Sequence, residues 1–322
     1  MSSLNTNVAA MTALQTLQQT QSMLETTQSR VATGFRVNEA SDNAAYWSIA
    51  TTMRSDNKAM ATVQDALGLG QAKVDVAYTG LNAAIDVVDQ IKTKLVAARE
   101  PGVDRSKIQS EIGELQNQLK SIASSSSFSG TNWLSIDHDV ATDGDLKAEI
   151  VSSFNRSDDG TVSVGTIELT VSGFALFNTN GDGAGNATDA DQVGIIDKSR
   201  TGATTVGATA ASTTFNLEAF DISAATVTDI DIDNLIKGAD AAVQEMTTAA
   251  AELGASKSRI EMQSDFIGNL MGAIERGIST LVDADMTAES TKLSALQTQQ
   301  QLGIQALSIA NGNAQSILGL FR

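Results

Sequence analysis

Several residue types are rare or absent in this chain, and each shortage excludes a class of function. The 322 residues contain no cysteine, which excludes disulfide bonds and thiol chemistry, and a single histidine, which excludes a multi-histidine metal site. One proline and 4% aromatic residues favour long helices over a large aromatic core. The longest apolar runs are too short for a transmembrane helix, and the N-terminus lacks the basic region of a conventional secretion signal.

Charge is unevenly distributed along the chain. A net charge of −17 argues against nucleic acid or an anionic membrane as a partner. Residues 135–235 hold 17 acidic and 4 basic side chains, whereas residues 1–24 and 293–321 hold no charged side chain. The sequence therefore predicts an acidic central block between two uncharged ends, and nothing in the pattern indicates a cofactor.

The uncharged C-terminal end has the periodicity of a helix. A helix that is apolar on every side is normally buried all round, so this one needs more than one partner. A 3-4-3-4 spacing, typical of a heptad seam, runs through Leu293, Leu296, Gln300, Gly303, Leu307, Ala310, Ala314, Ile317 and Phe321. Further apolar residues lie off this seam at Leu302, Ile304, Ile309, Leu318 and Leu320.

The N-terminal end has the same character, and we expect the two ends to pack side by side. Its seam is predicted to run through Leu14, Leu17, Gln21, Leu24, Gln28 and Val31, after Leu4, Val8 and Met11. A helix pair leaves its outer faces uncovered, and repeated copies of the pair would cover them. The predicted packing residues of this polymer core are Leu4, Val8, Met11, Leu14, Leu17, Leu24, Leu293, Leu296, Leu307, Ile317, Leu318 and Phe321.

Between the ends, the sequence predicts two long coiled-coil rods around an inserted smaller β-rich domain. A heptad runs without interruption from Met60 to Ala98 and ends before Pro101-Gly102, and another returns from about Leu235 to Leu281. Ser106 with Gln109 resembles a capping box for a second helix. Apolar and polar residues alternate in Thr161–Val171 and Asp229–Asp233, which predicts short strands.

This pattern defines a mainly α fold with five segments. They are an N-terminal half of a core helix pair (1–44), half of a helical rod (45–134), an acidic outer domain (135–235), the returning half of the rod (236–285) and the C-terminal half of the core pair (286–322). The segment from Asn178 to Asp189 has oxygen ligands at the spacing of an EF-hand loop. Because no amphipathic helices flank it, we interpret it as a polar surface loop, and we interpret His138 as a surface residue.

Several short motifs, in order, resemble the bacterial flagellins. At the N-terminal end they are Asn7–Leu14 (NVAAMTAL), Ala32–Asn38 (ATGFRVN) and Asp42–Ala45 (DNAA). At the C-terminal end they are Ala251–Ala255 (AELGA) with Arg259, Asp283–Asp285 (DAD), Leu293–Gln297 (LSALQ), Gln305–Leu307 (QAL) and Ile317–Arg322 (ILGLFR). The resemblance covers residues 1–134 and 236–322 and leaves out the acidic block.

The resemblance implies a secreted, extracellular structural protein without enzymatic activity that forms a helical homopolymer, the filament used for motility. Flagellins are exported unfolded, with an export chaperone on the C-terminal segment. They polymerise at the distal tip beneath a filament cap, on top of hook-associated junction proteins. Their terminal helices line the inner tube, and the helical rods form the next shell.

Two other functions compete with the filament subunit. A hook–filament junction protein of the same family shares the plan of the termini, but the opening MSSLNTNVAAMTALQTL and the ending SILGLFR favour a filament subunit. A secreted enzyme with a coiled-coil stalk would need a convergent polar cluster in residues 135–235, and the sequence shows none.

Overall fold

The computed structural model describes residues 7–137, 146–157, 159–178, 194–198, 200–206, 209–224 and 227–320, without the side chains of 201–215 and 313–320. The helices of this part of the chain are α1 (Val8–Thr33), α2 (Ala44–Ala98), α3 (Arg105–Ser125), α4 (Asp229–Val282) and α5 (Met286–Leu320). The predicted mainly α fold with an inserted strand-containing region is confirmed. His138 and the EF-hand-like segment after Asn178 lie outside the described residues.

The helix boundaries follow local signals that the sequence displays. The Asn7 side chain accepts a hydrogen bond from the Ala10 amide at the start of α1, and Gly34 ends α1 with a φ of 76°. The Asn43 side chain accepts from the backbone amides of Ala45 and Tyr46 at the start of α2. Between α2 and α3, Gly102 takes a φ of 91°, a conformation that glycine adopts readily and that allows the chain to turn into α3.

Two local predictions are wrong. Asp104, not Ser106, caps α3, because its carboxylate accepts from the Ser106 amide, and Gln109 instead bonds to backbone groups of Phe220 and Ile222. Asp229–Asp233 is not a strand but the first turn of α4. There the carboxylate of Asp231 accepts from the amide and hydroxyl of Thr228, and acidic residues are stabilised by the positive end of the helix dipole.

The strands form small two-stranded pairings. The longer ones are antiparallel: β4 (Lys147–Arg156) with β5 (Val162–Thr170), and β7 (Arg200–Val206) with β8 (Thr209–Phe215). The short ones are β1 (Ser127–Phe128) with β2 (Thr131–Asn132), and β3 (Ser135–Ile136), which pairs in parallel with β6 (Phe177–Asn178). Strand β5 confirms the alternation predicted for Thr161–Val171.

The chain divides into two compact units. The terminal unit comprises Met1–Ala59 and Leu270–Arg322, and the central unit comprises Met60–Asn269, so α2 and α4 contribute to both. In the central unit, the predicted heptad of α2 is confirmed, since its positions Met60, Val63, Leu67, Gly70, Val74, Ala77, Leu81, Ala84, Val88, Ile91, Leu95 and Ala98 are all buried.

Polar contacts join α2 to α4 in antiparallel register within the central unit. The contacts, which we call the polar ladder, are Gln71–Glu261, Asp75–Lys257, Lys92–Asp240 and Arg99–Asp233. Successive contacts are 4, 17 and 7 residues apart on both helices. The proximity of Asp240 holds the pKa of Lys92 above its usual value, and Asp75 does the same for Lys257. The equal spacing on both sides shows that the pair keeps one antiparallel register along its length.

The described part of residues 135–235 contributes to the core of the central unit. Ile150 lies so close to Gly70 of α2 that a side chain at position 70 would overlap it. The Gln116 amide of α3 donates to the carbonyl of Leu217. These residues thus fold together with the helices of the central unit.

One carboxyl group in this core is buried without full pairing. Asp197 is 3% exposed. Its Oδ2 accepts a hydrogen bond from the backbone N–H of Asn178 at 2.6 Å, but its Oδ1 has no hydrogen-bond partner. Burial, with a smaller contribution from nearby Glu218, raises the pKa of Asp197 from 3.8 to about 6.

Within the described residues, no helix combines the length and hydropathy needed to cross a bilayer. The same part of the chain holds no cluster of three or more histidine, aspartate or glutamate side chains that could bind a metal ion.

Candidate assembly surface

The predicted pairing of the two chain ends is present in the terminal unit, where α1 and α5 lie side by side. The side-chain amide of Asn7 donates to the Ala310 carbonyl at 2.9 Å. The side-chain amide of Gln300 donates to the side-chain oxygen of Gln21 at 2.7 Å. Farther along, Arg30 bonds to Glu289. Residue numbers rise on α1 as they fall on α5, so the two helices are antiparallel.

The seam of α5 matches the prediction over its described side chains. Leu296 is buried, and Leu293, Gln300, Gly303, Leu307 and Ala310 are half-buried. Gly303 allows close packing, because a Cβ there would lie 3.2 Å from the Cδ1 of Leu17. One side of α5 is therefore covered by α1 within a single chain.

The seam of α1 differs from the prediction by one residue at three positions. Ala13 is half-buried, whereas Leu14, which the heptad placed in the seam, is exposed. Thr20 and Thr27 are buried beside Leu24, whereas Gln21 and Gln28, which the heptad placed in the seam, are exposed. Threonine fits a buried position because its hydroxyl can bond within its own helix, as Thr20 does to the Thr16 carbonyl at 2.9 Å. Glutamine carries a longer amide that needs a partner elsewhere.

The predicted packing residues fall into three groups in the single chain. Leu24 and Leu296 are buried, and Leu17, Leu293 and Leu307 are half-buried. Val8, Met11 and Leu14 keep 67%, 57% and 45% of their surface exposed. Leu4 and Phe321, and the side chains of Ile317 and Leu318, lie outside the described residues.

The pair also exposes large apolar side chains on α5. Leu302, Ile304 and Ile309 are 58%, 55% and 66% exposed. Together with Val8, Met11 and Leu14 they form what we call the open face of the α1–α5 pair. These side chains lie on more than one side of the pair, and a helix that is apolar on several sides is normally covered by further partners.

A partly buried ion pair lies at the other end of α1 and α5. Arg30 is in the last turn of α1 and Glu289 in the first turn of α5, where each charge suits the local helix dipole. Their side chains are 27% and 13% exposed and 3.3 Å apart. Arg30 Nε and Glu289 Oε2 are buried without hydrogen-bond partners, so the pair is only half satisfied.

A small hydrophobic cluster joins the start of α2 to the end of α4 in the terminal unit. Its buried members are Val37, Ala50, Ile278 and Val282. Backbone bonds hold the connecting segment beside them: the amides of Arg36 and Val37 donate to the Val282 carbonyl, and the Ala284 amide donates to the Gly34 carbonyl. The cluster thereby fixes where α5 begins relative to α1.

One exposed aromatic group was missed by the sequence analysis. Residues 43–53 at the start of α2 carry no charge, and Tyr46, Trp47 and Ile49 are 41%, 37% and 46% exposed. The signal that could have identified them is this lack of charge, the same signal that marked the two chain ends.

Comparison with known proteins finds matches at both ends of the chain. Residues 4–138 match the bacterial flagellin N-terminal helical region, and residues 236–321 match the bacterial flagellin C-terminal helical region. The intervening stretch, which holds most of the strands, lies outside both family models.

Full-length relatives carry the same name. Flagellin C of Rhizobium meliloti (strain 1021) is 49% identical and flagellin A of Rhizobium meliloti 43% identical, each with 100% of both chains covered. A flagellin of Brucella melitensis biotype 1 is 43% identical over 100% of both chains. These relatives give no support to the junction-protein or stalked-enzyme hypotheses. The chain belongs to the bacterial flagellin family, as a structural subunit that assembles with copies of itself into the extracellular filament of the flagellum.

Proposed function

We propose that the open face of the α1–α5 pair is the surface through which copies of this flagellin pack into the filament core. The observation that carries this proposal is the exposure of six large apolar side chains on a helix pair whose seam is already closed. Of the packing residues predicted from the sequence, Val8, Met11 and Leu14 belong to this face. Leu302, Ile304 and Ile309, which the sequence placed off the seam, belong to it as well.

The distribution of charge supports this arrangement. The terminal unit contains eight acidic and seven basic residues, so identical copies meet with little net repulsion. Residues 135–235 carry 13 of the 17 net negative charges, and an outward position in the filament keeps those charges apart and solvated. The five segments would then act as two core halves, two rod halves and one outer domain.

Covering the open face contributes a favourable free energy to assembly. Covering each large apolar side chain contributes about 1.5–3 kcal/mol when burial is complete. Six side chains that are about half exposed would therefore contribute several kcal/mol per subunit, before the cost of ordering the helices. Shorter or more polar ends would not reach this value.

The same surface explains the expected partners. Before assembly, the uncharged C-terminal segment exposes apolar side chains, and a dedicated export chaperone bound there would prevent premature association. At the two filament ends the surface has no further subunit, so a cap at the distal tip and hook-associated junction proteins at the base would cover it. Passage of the unfolded chain through a narrow export channel suits helices that are stable only when packed.

Hydrogen exchange tests the proposal on monomer and filament. We expect the amides of residues 7–28 and 293–312 to exchange rapidly in the monomer, because α1 and α5 depend on burial, and to be protected in the filament. The amides of α2 between residues 60 and 98 are the internal control and should be protected in both states. Equal exchange of the two ends in monomer and filament would contradict the proposal.

A further inference from the structure

The first turns of α2 form a third uncharged helical stretch in the terminal unit, after the two chain ends. One side of it is covered, because Ala50 is 1% exposed in the cluster with Ile278 and Val282. Tyr46 and Trp47 are not covered in this way, since 41% and 37% of their surfaces are exposed. The other tryptophan of the chain, Trp133, is only 7% exposed.

Nothing on the surface of this stretch suits a charged or polar ligand. Residues 43–53 contribute Asn43, whose side chain caps α2, and alanine, serine, threonine and large apolar side chains, with Asp42 before them and Arg54 after them. Asp42 is already used within the chain, where amides of Asn38 and Glu39 donate to its carboxylate and lower its pKa. The available chemistry is therefore apolar and aromatic contact.

We propose that Tyr46, Trp47 and Ile49, the aromatic patch of α2, bind a second copy of this chain in the filament. This rests on the proposed function, since it adds a contact to the assembly that the open face of the α1–α5 pair drives. Because identical subunits in a polymer meet through two different surfaces, the patch contacts a different surface on its neighbour. Tyrosine and tryptophan are the side chains that most often dominate the energy of such contacts.

The area of the patch decides between a second copy and an independent partner. An aromatic side chain can bury about 150–250 Å², so the exposed fractions of the three residues amount to roughly 200–300 Å². A stable independent complex buries about 800 Å² on each partner. The patch is too small to hold a soluble protein by itself. It is large enough to strengthen an association that another surface already maintains, where the effective concentration of the neighbour is high.

The two tryptophans make the first test direct. In a Trp133→Phe variant, Trp47 is the single tryptophan, and its accessibility can be followed by acrylamide quenching in monomer and filament. We expect the quenching constant to fall at least about threefold on assembly, with a shift of the emission to shorter wavelength. A filament in which Trp47 is quenched as readily as in the monomer would overturn the inference.

A second measurement separates contact between copies from ordering within one chain. Trp47 is replaced by the photoreactive p-benzoylphenylalanine, and a small fraction of this variant is assembled with unaltered subunits. We expect illumination to give covalent dimers in filaments and none in monomer. Crosslinks confined to a single chain in the filament would overturn the inference. The same replacement at Val162, which is 49% exposed on β5, is the matched control and should give no dimers.

A third measurement gives the size of the effect. Trp47→Gln should raise the critical concentration for assembly at least about tenfold, with unchanged helicity of the monomer, whereas Val162→Gln should leave it unchanged. An unchanged critical concentration for Trp47→Gln would contradict the inference. That result leaves the proposed function standing, because hydrogen exchange of residues 7–28 and 293–312 tests the open face separately.

Discussion

The terminal and central units each contain a long antiparallel helix pair, but they specify it differently. In the central unit, the polar ladder follows one register of α2 and α4 that is complete within the chain. In the terminal unit, charges on α1 and α5 are confined to the end near Arg30 and Glu289, and the open face remains apolar and exposed. The α2–α4 pair also exposes apolar side chains, such as Met262 and Phe266, but it carries polar contacts along its length. Among the described residues, the α1–α5 pair has no ion pair beside its open face, and it is the pair that we propose to join subunits.

The largest effect on assembly is expected when a charged side chain is introduced into the uncharged part of the α1–α5 pair. Leu307→Glu removes burial worth about 1.5–3 kcal/mol and asks an unpaired carboxylate to leave water, at a cost of several kcal/mol more. Each subunit carries the change, so the association constant should fall by several powers of ten. We expect soluble monomer of normal helicity and no filaments, by sedimentation and electron microscopy.

The matched control places the same new charge in the central unit. Val164 is 56% exposed on β5, so Val164→Glu should polymerise like the unaltered chain. If Leu307→Glu and Val164→Glu assemble equally well, the C-terminal helix is not in a buried core between subunits.

The next effect concerns the one ion pair of α1 and α5. Glu289→Ala leaves Arg30, which is only 27% exposed, without its carboxylate, and we expect about 2–3 kcal/mol loss of stability of the filament toward urea. Replacing both partners, as Arg30→Met with Glu289→Leu, should restore most of that loss, because neither charge is then buried unpaired. Equal destabilisation by the single and double variants would show that the pair is needed for its geometry.

A comparable effect tests the buried carboxyl of the central unit. Because the pKa of Asp197 is higher in the folded chain than its ordinary 3.8, the folded state binds the extra proton, and stability is greatest at low pH. The contribution of this group to stability should decline as pH rises from about 4 to about 6 and stay lower above, by about 3 kcal/mol. Urea unfolding of the monomer against pH measures this. Asp197→Asn should flatten that part of the profile, and an unchanged decline would assign it to another group.

The smallest effect is expected from the polar ladder. Its side chains are largely exposed, so each contact contributes little and is screened by salt. Lys257→Met should lower the Tm of the monomer slightly at low salt, and about 0.5 M NaCl should remove the difference. Persistence of the difference at high salt would mean that the lysine stem, not its charge, stabilises the pair.

Sequence periodicity predicted the parts of this fold that depend on side-chain burial along one helix. The heptads of α2 and α5 were predictable because their leucines, isoleucines and alanines repeat at the helical spacing. The burial of Thr20 in place of Gln21 was not, since it depends on a hydroxyl bonding within its own helix. Asp229–Asp233 alternates like a strand, but the helix dipole and the Thr228–Asp231 bonds decide its structure.

The assembly surface was predictable only in part. The lack of charge identified the chain ends, but which of their residues close the seam and which stay open depends on how α1 and α5 pair. The high pKa of Asp197 also needed the structure, because burial by residues distant in sequence causes it. The boundaries of the five segments and the outward position of residues 135–235 stay predictions.

If the open face joins subunits as we propose, its lack of charge also sets how the filament responds to temperature. Attraction between uncharged apolar surfaces weakens on cooling, because its driving force near room temperature is entropic and burial lowers the heat capacity. Salt screening, in contrast, has no charges to act on there. Cooling should therefore weaken the binding of subunits at the filament ends, whereas lowering the salt concentration should have little effect on it.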